Sequence, residues 1–273
     1  MEKNAVICKS INNKSIFYNK ELDLIYDTCN DTPTYLSVDM RYIRTFNDEI
    51  YDTIYEITTK CNQKCENCFA ECGEQNVEEM DFEYINNDIA IKEKHRIRIA
   101  ITGGEPFLYS KLNELLSLPS NFNDLNFVIN SNGNFDMKDE VLELIIKNKW
   151  LVSFSIHGNE RAHNEYTRAE GFKKVIENIK KISGKTNLHI YSVFNRYMDK
   201  KDLEFIIKLK SEYDIGFIRF ITPRNFGRID MTYNKNLLDF LVDEIKNEKL
   251  IGIKDEKSMS ELINVNKVSR LSR

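Results

Sequence analysis

The sequence contains no long apolar run. No stretch approaches the roughly 20 apolar residues that a membrane-spanning helix needs, and no apolar signal segment follows the opening Met-Glu-Lys-Asn. Charged residues make up 30% of the chain, which excludes a body embedded in a membrane. We therefore expect a cytoplasmic protein without a membrane partner. Because cysteines stay reduced in that compartment, the six cysteines are expected to be ligands or buried thiols, not disulfides.

Blocks of like charge are also missing. The net charge is −4, and acidic and basic residues are interspersed along the chain. No Lys/Arg cluster or basic amphipathic stripe marks a surface for nucleic acid, so the sequence disfavours a nucleic-acid partner.

A repeated pattern of strand, turn and helix begins at residue 51. The strand candidates are short, rich in Ile, Val, Phe and Tyr, and mostly apolar on both faces, as buried parallel strands are. They span 51–58, 97–102, 125–130, 151–156, 188–194 and 215–221. Apolar residues recur at helical spacing within 172–182, 203–207 and 237–245.

Strands that alternate with helices predict βαβ units and a parallel sheet. Six such units predict an α/β fold, a partial (β/α)6 TIM-like barrel; the strand pattern alone leaves a doubly wound open sheet as the alternative. We predict three segments: a short strand-rich N-terminal lead-in over 1–50, a catalytic core over 51–250, and a polar C-terminal tail over 251–273.

Three cysteines, Cys61, Cys65 and Cys68, follow the first predicted strand with the spacing CxxxCxxC. This loop belongs to the carboxyl edge of the sheet, where active sites gather. Three thiolates on one short loop suit an iron–sulfur cluster, and a cubane with three protein ligands keeps one iron open for a small molecule. The spacing leaves two alternatives, because Cys72 could complete a four-cysteine set for structural zinc or for an electron-transfer cluster.

The second predicted strand ends in Gly103-Gly104-Glu105-Pro106. The glycine pair allows the backbone to approach a ligand without a Cβ in the way. Glu105 supplies an anion suited to an ammonium group, and Pro106 stiffens the exit from the strand.

Together, the CxxxCxxC and GGEP motifs resemble the radical SAM superfamily, and the resemblance extends over residues 52–250. It implies that Cys61, Cys65 and Cys68 bind a [4Fe–4S] cluster. Asn67 occupies the position before the third cysteine that is often aromatic in the family, and Phe69 follows that cysteine instead. The resemblance assigns contacts with S-adenosylmethionine (SAM) to Phe69, Gly103, Gly104, Glu105, Pro106, Ser131, Asn132, Ser155 and Arg168.

Three of these assignments come from later strand ends. Ser131 and Asn132 lie in a segment similar to the family's loop near the ribose, and Ser155 in one that assists the SAM carboxylate. Arg168 is the candidate bidentate partner of that carboxylate, although the family's arginine can lie one position earlier, at Thr167 here.

Two nearby histidines allow two interpretations. His157 replaces the aspartate more common in the family, and His163 begins the stretch that ends at Arg168. Each is either a hydrogen-bonded structural residue or takes a direct role.

The resemblance implies reductive cleavage of SAM to a 5′-deoxyadenosyl radical that abstracts hydrogen from a substrate. A low-potential electron donor, a flavodoxin or a ferredoxin, is implied as partner. The similarity favours the branch that holds molybdenum-cofactor synthesis enzymes and peptide maturases, but without a SPASM-type extension, because no cysteine follows Cys72. A single cluster is expected, since only Cys8 and Cys29 lie outside the 61–72 loop.

The preferred substrate is a peptide or protein side chain. A radical SAM enzyme acting on a small-molecule cofactor precursor is one alternative. A non-catalytic iron–sulfur or zinc-binding partner protein is the other.

Overall fold

The computed structural model describes most of the chain between residues 5 and 240. The described residues are 5–11, 14–19, 24–27, 44–46, 50–68, 70–73, 77–93, 96–122, 124–221, 223, 228, 232–234, 236–237 and 240. The predicted C-terminal tail, 251–273, lies outside them, as does most of the predicted helix over 237–245.

Within the described residues, seven strands form the main sheet, and six of them are parallel. In chain order they are β4 (Arg44–Phe46), β5 (Ile50–Glu56), β6 (Arg96–Thr102), β7 (Asn126–Ser131), β8 (Leu151–Ser155), β9 (Leu188–Val193) and β10 (Ile215–Ile221). Neighbours along the chain are neighbours in the sheet, and only β4 runs antiparallel to its partner. This confirms the partial (β/α)6 barrel over the doubly wound sheet, in which strand order reverses at a switch point.

The lead-in is rich in strands, as predicted. β1 (Ala5–Ile11), β2 (Lys14–Asn19) and β3 (Leu24–Asp27) pair antiparallel in a separate sheet.

Helices follow the parallel strands. They are α1 (Phe82–Lys92), α2 (Leu112–Ser117), α3 (Asp139–Lys147), α4 (Glu160–Thr167), α5 (Phe172–Ile182) and α6 (Lys200–Glu212). The apolar stripes predicted at 172–182 and 203–207 lie on α5 and α6. Within the described residues, no helix is both long enough and apolar enough to cross a membrane.

The two faces of the parallel sheet differ in chemistry. Alternate strand residues pack with the helices in the large apolar core, among them Ile99, Ile129, Val152 and Phe154. The opposite, inner face has a smaller apolar row across four strands, formed by Ile54, Ala100, Val128 and Leu151.

Towards the carboxyl ends the inner face becomes polar. The residues two positions further along the strands are Glu56, Thr102, Asn130 and Ser153, and His189 on β9 is level with Ser153. Closed barrels of this type fill the interior with bulky branched residues. Here, by contrast, the inner face offers hydrogen-bonding groups just below the edge that carries the cysteines.

Candidate active site

The cysteine loop connects β5 to α1 at the carboxyl edge of the sheet. The side chains of Cys61, Cys65 and Cys68 are partly exposed, whereas Cys72 is buried. The three thiols predicted to be ligands therefore differ in accessibility from the fourth.

Electrostatics set these thiols apart further. Burial raises the pKa of Cys61 to about 11, and burial together with the nearby Cys68 raises the pKa of Cys65. A hydrogen bond with Cys72 lowers the pKa of Cys68 to about 6. Neighbouring thiolate charges repel one another, and this disfavours their ionisation. Iron cations bound by the thiolates would offset that repulsion. Among the residues described, no three His, Cys, Asp or Glu side chains are gathered around one point that would hold a single metal ion.

Cys72 contacts other residues of the cysteine loop. Its Sγ lies 3.5 Å from the Ala70 carbonyl, and its hydrogen bond with Cys68 raises its pKa. The Arg228 side chain donates to the carbonyls of Cys65 (3.1 Å) and Cys72 (2.8 Å), and its backbone N–H donates to Cys68 O (2.9 Å). Arg228, beyond the last described strand, thus holds the second half of the loop.

The glycine pair fits the first half of the loop against β6. The Gly104 N–H donates to the Thr58 carbonyl at 2.7 Å. Gly103 has φ +136°, and a Cβ there would lie 2.5 Å from the Thr58 oxygen, while a Cβ at Gly104 would overlap the Lys60 carbonyl. The glycine pair thus lets β6 approach the backbone of Thr58 and Lys60 just before Cys61, and its approach to a ligand stays a prediction.

Glu105 is fully buried and joins the ends of β6 and β7. Its carboxylate accepts hydrogen bonds from the N–H groups of Phe107 (3.0 Å) and Asn132 (2.7 Å) and from the Ser131 hydroxyl (2.8 Å). Burial raises the pKa of Glu105 to about 7, against the effect of these donors. The group predicted to meet an ammonium is therefore engaged by three donors of the protein. Pro106, also buried, begins a short 3-10 turn.

Asn132 connects this joint to the cysteine loop. Its Nδ2 donates to Asn62 Oδ1 at 2.9 Å and lies 3.7 Å from Cys61 Sγ, while its Oδ1 accepts from the Asn134 N–H at 2.8 Å. The structure thus brings Asn132 next to the first predicted ligand.

Ser155 lies on the inner face at the end of β8 and is half-buried. It is level with Tyr191 on β9, which is level with Arg219 on β10. The Arg219 guanidinium lies 5.0 Å from the centre of the Tyr191 ring and 5.8 Å from that of Phe217. No motif marks Tyr191 or Arg219 in the sequence, although strand alternation places them on the same face as Ser155.

Arg168 ends α4 in a left-handed conformation, with φ +53°, and its side chain is 57% exposed. Its Nη2 lies 3.4 Å from Glu66 Oε1 in the cysteine loop. Thr167, the alternative position, is fully buried, and its carbonyl accepts from the Lys64 N–H at 3.0 Å. Only Arg168 therefore presents a side chain towards solvent here.

The two histidines are structural in this arrangement. Both are buried with stacked rings 5.6 Å apart, and His163 Nδ1 accepts from the His157 N–H at 3.3 Å. Burial lowers the pKa of His157 well below its usual value and that of His163 to about 4. Both rings are thus neutral at physiological pH.

Some predicted residues lie outside the described part of the chain. These are Phe69 and Cys29, so a contact of Phe69 with adenine stays a prediction. The site also includes four residues that no sequence motif assigns to it, namely Glu66, Arg196, Tyr197 and Arg228.

Comparison with known families shows a match to the radical SAM superfamily over residues 55–209, more than half of the chain. A curated relative is the sporulation killing factor maturation protein SkfB of Bacillus subtilis, 33% identical over 135 residues. That alignment covers 47% of this chain and 32% of SkfB.

Solved structures show the same fold. The SAM-bound structure of SuiB from Streptococcus suis superposes with a TM-score of 0.61 at 17% identity, covering 73% of this chain and 49% of SuiB. AdoMet-bound anSMEcpe superposes with a TM-score of 0.58 at 22% identity, covering 74% of this chain and 61% of that protein. The chain therefore spans about a third of SkfB and about half of SuiB.

Proposed function

Because the chain belongs to the radical SAM superfamily, we propose that it cleaves SAM reductively at a [4Fe–4S] cluster and uses the radical to modify a peptide or protein side chain. The observation that carries the proposal is the cysteine loop itself. Its three partly exposed thiols follow a strand of the parallel sheet at the carboxyl edge, and the first of them, Cys61, lies 3.7 Å from Asn132 Nδ2.

Each residue then has a task. Cys61, Cys65 and Cys68 would hold the cluster, and the chemistry available there would be the one-electron reductive cleavage of SAM. Arg168 and Ser155 would bind the carboxylate of SAM. Glu105 and Pro106 act by fixing the ends of β6 and β7, on which the loop rests.

The peptide substrate would bind the inner face of the sheet. Tyr191 and Arg219, half-buried and level with Ser155, would give that face an aromatic surface and a positive charge next to the position proposed for SAM. The solved relatives support a peptide, since one SuiB structure is bound to the precursor peptide SuiA. The name of SkfB likewise describes it as a maturation protein.

The reaction also needs a source of electrons. A flavodoxin or ferredoxin of low potential would supply them. A reducing cytoplasm would keep the cysteine thiols ready for iron.

Anaerobic reconstitution tests the proposal. Protein loaded with iron and sulfide, reduced with dithionite and given SAM should release 5′-deoxyadenosine, measured by mass spectrometry. Cys65→Ala is the matched control and should release none. Parent protein that binds four irons yet yields no 5′-deoxyadenosine beyond this control would refute the catalytic proposal.

A further inference from the structure

Two side-chain amides lie beside the predicted ligands of the cluster. Asn132 Nδ2 is 3.7 Å from Cys61 Sγ, and Gln63 Oε1 is 3.6 Å from Cys65 Sγ. Both residues are buried, with exposed fractions of 9% for Asn132 and 3% for Gln63. Two of the three predicted ligands thus each have a buried amide close to their sulfur.

The orientation of the Asn132 amide is fixed by its other contacts. Its Oδ1 accepts from the Asn134 N–H at 2.8 Å, and its Nδ2 donates to Asn62 Oδ1 at 2.9 Å. Its backbone N–H donates to the buried Glu105 carboxylate at 2.7 Å. Because Asn134 holds the amide oxygen, the nitrogen faces Cys61. That nitrogen has two N–H donors, one for Asn62 and one for the sulfur.

The Gln63 amide faces Cys65 with its oxygen, which suits a thiol but not a thiolate. The S–H group of Cys65 can donate to Gln63 Oε1, whereas a thiolate, the form that binds iron, only accepts. The Nε2 atom of Gln63 is buried and has no hydrogen-bond partner among the described residues. A half-turn of the amide exchanges its oxygen and nitrogen, and this would give the buried N–H group a sulfur acceptor.

The electrostatics of Cys61 agree with donors at its sulfur. Burial raises the pKa of Cys61, and hydrogen bonds from the Gln63 backbone N–H and the Asn132 side chain act against that rise. Both donors therefore favour the charged form of the sulfur. An iron–sulfur cluster becomes more negative when it takes up an electron. N–H groups directed at its ligands thus stabilise the reduced form and raise the reduction potential.

We propose that Gln63 and Asn132 are positioning residues whose amides donate N–H···S hydrogen bonds to Cys65 and Cys61 and so raise the reduction potential of the bound cluster. The inference rests on the proposed function, because it takes the [4Fe–4S] cluster as the group that Cys61 and Cys65 bind. It gives Asn132 a role separate from the SAM contact that the resemblance predicts. It also gives a role to Gln63, which lies inside the cysteine motif.

The test measures the reduction potential of the cluster in reconstituted protein without SAM. An EPR-monitored titration with dithionite and mediators follows the uptake of one electron per cluster, with no atom transferred. Asn132→Ser keeps a hydroxyl that can accept from the Asn134 N–H, but its shorter side chain does not reach Cys61. Gln63→Met keeps the length of the side chain and removes both polar atoms of the amide.

Each variant should keep the iron of the parent and have a lower potential. In the double variant, the ratio of reduced to oxidised cluster at a given potential should fall about tenfold, which corresponds to about 59 mV for one electron. Each single variant should show part of that shift. A role of Asn132 in binding SAM alone would leave the SAM-free potential unchanged.

Asn148→Ser is the matched control. It makes the same replacement at a half-buried amide whose Nδ2 donates to the Leu116 carbonyl at 2.8 Å, between α3 and the start of β8. This variant should keep the potential of the parent. A parent-like or higher potential of Asn132→Ser or Gln63→Met, at full iron content, would overturn the role of that amide.

Iron content makes the remaining outcomes decisive. If one variant loses its iron, the potential of the other decides. Loss of iron in both would mean that the amides hold the loop in place and do not act on the bound cluster, which overturns the inference. A parent that binds about four irons but releases no 5′-deoxyadenosine would refute the proposed catalysis alone, because the potentials could still be compared. A parent that binds no cluster would overturn both.

Discussion

Glu105 and Glu66 both join neighbouring segments at the carboxyl edge, but in different surroundings. Glu105 is fully buried and bound by neutral donors, two backbone N–H groups and a hydroxyl. Glu66 is also buried, yet two of its three partners are arginines with large exposed fractions. The half of the edge around Glu105 thus acts as a support, and the half around Glu66 carries partly exposed arginine side chains.

The largest effect, a loss of bound iron, is expected when the thiols between these two halves of the edge are removed. Cys61→Ala, Cys65→Ala or Cys68→Ala should each reduce the iron of anaerobically reconstituted protein from about four per chain to nearly none. Each thiol is one of only three partly exposed cysteines in the described loop. Iron analysis and visible absorption measure this, and a variant that retains the full cluster would remove that cysteine from the ligand set.

A methyl group at Gly104 should damage the support half. The added Cβ overlaps the Lys60 carbonyl, so Gly104→Ala should lower the free energy of unfolding by about 3 kcal/mol and displace the cysteine loop. Gly216→Ala is the control, because a Cβ there meets its nearest neighbour at an ordinary 3.6 Å. Calorimetry and iron content report the effect. Parent-like values for Gly104→Ala would show that the loop is not packed as described.

Lowering the pH should change the contributions of His163 and Glu105 to the free energy of unfolding in opposite directions. Burial lowers the pKa of His163, beneath the Glu66 half, from 6.5 to about 4, so its contribution to stability is lost as pH falls between those values. Burial raises the pKa of Glu105 from 4.5 to about 7, so its contribution is lost as pH rises through that range. In cluster-free protein, His163→Asn should therefore make the loss of stability towards pH 4 shallower. Denaturant titrations at several pH values measure this, and an unchanged pH profile in the variant would contradict it.

Arg168→Ala should leave the support half intact and weaken SAM binding. We expect a loss of about 1.5 kcal/mol, roughly tenfold in the dissociation constant, at the low end for a charged hydrogen bond because the side chain is more than half exposed. Calorimetric titration of the reconstituted protein provides the value, with Lys173→Ala on α5, where the side chain is 81% exposed, as control. Equal affinities in the two variants would exclude Arg168 from the site.

The smallest effect is expected at Cys72. Its thiol is buried behind Cys68, so Cys72→Ala should keep about four irons per chain. Loss of iron in this variant would make Cys72 a ligand and return the site to a four-cysteine set.

The fold could be predicted because its signals are local. Apolar strand runs and helical stripes occur within short windows, and they identified all six parallel strands. The cysteine and glycine motifs also lie in single segments, so their placement at one edge followed from the parallel topology.

The contacts that complete the site are not local. Glu66 meets Arg196 across 130 positions, and Arg228 meets Cys65 across 163. One polar residue inside a cysteine motif and one arginine after a strand have no distinguishing pattern. The glycine pair could be predicted only in part. The sequence indicated a close approach to the backbone but did not indicate that Thr58 and Lys60 make it.

The position of Arg228 also bears on the order of events during synthesis. The cysteine loop begins at the end of β5. Its second half is held by Arg228, which is synthesised after β10. Contacts between positions so distant in sequence form late, after loop closure has been completed elsewhere. We therefore expect iron to bind after most of the chain has folded, so that cluster binding would not initiate folding.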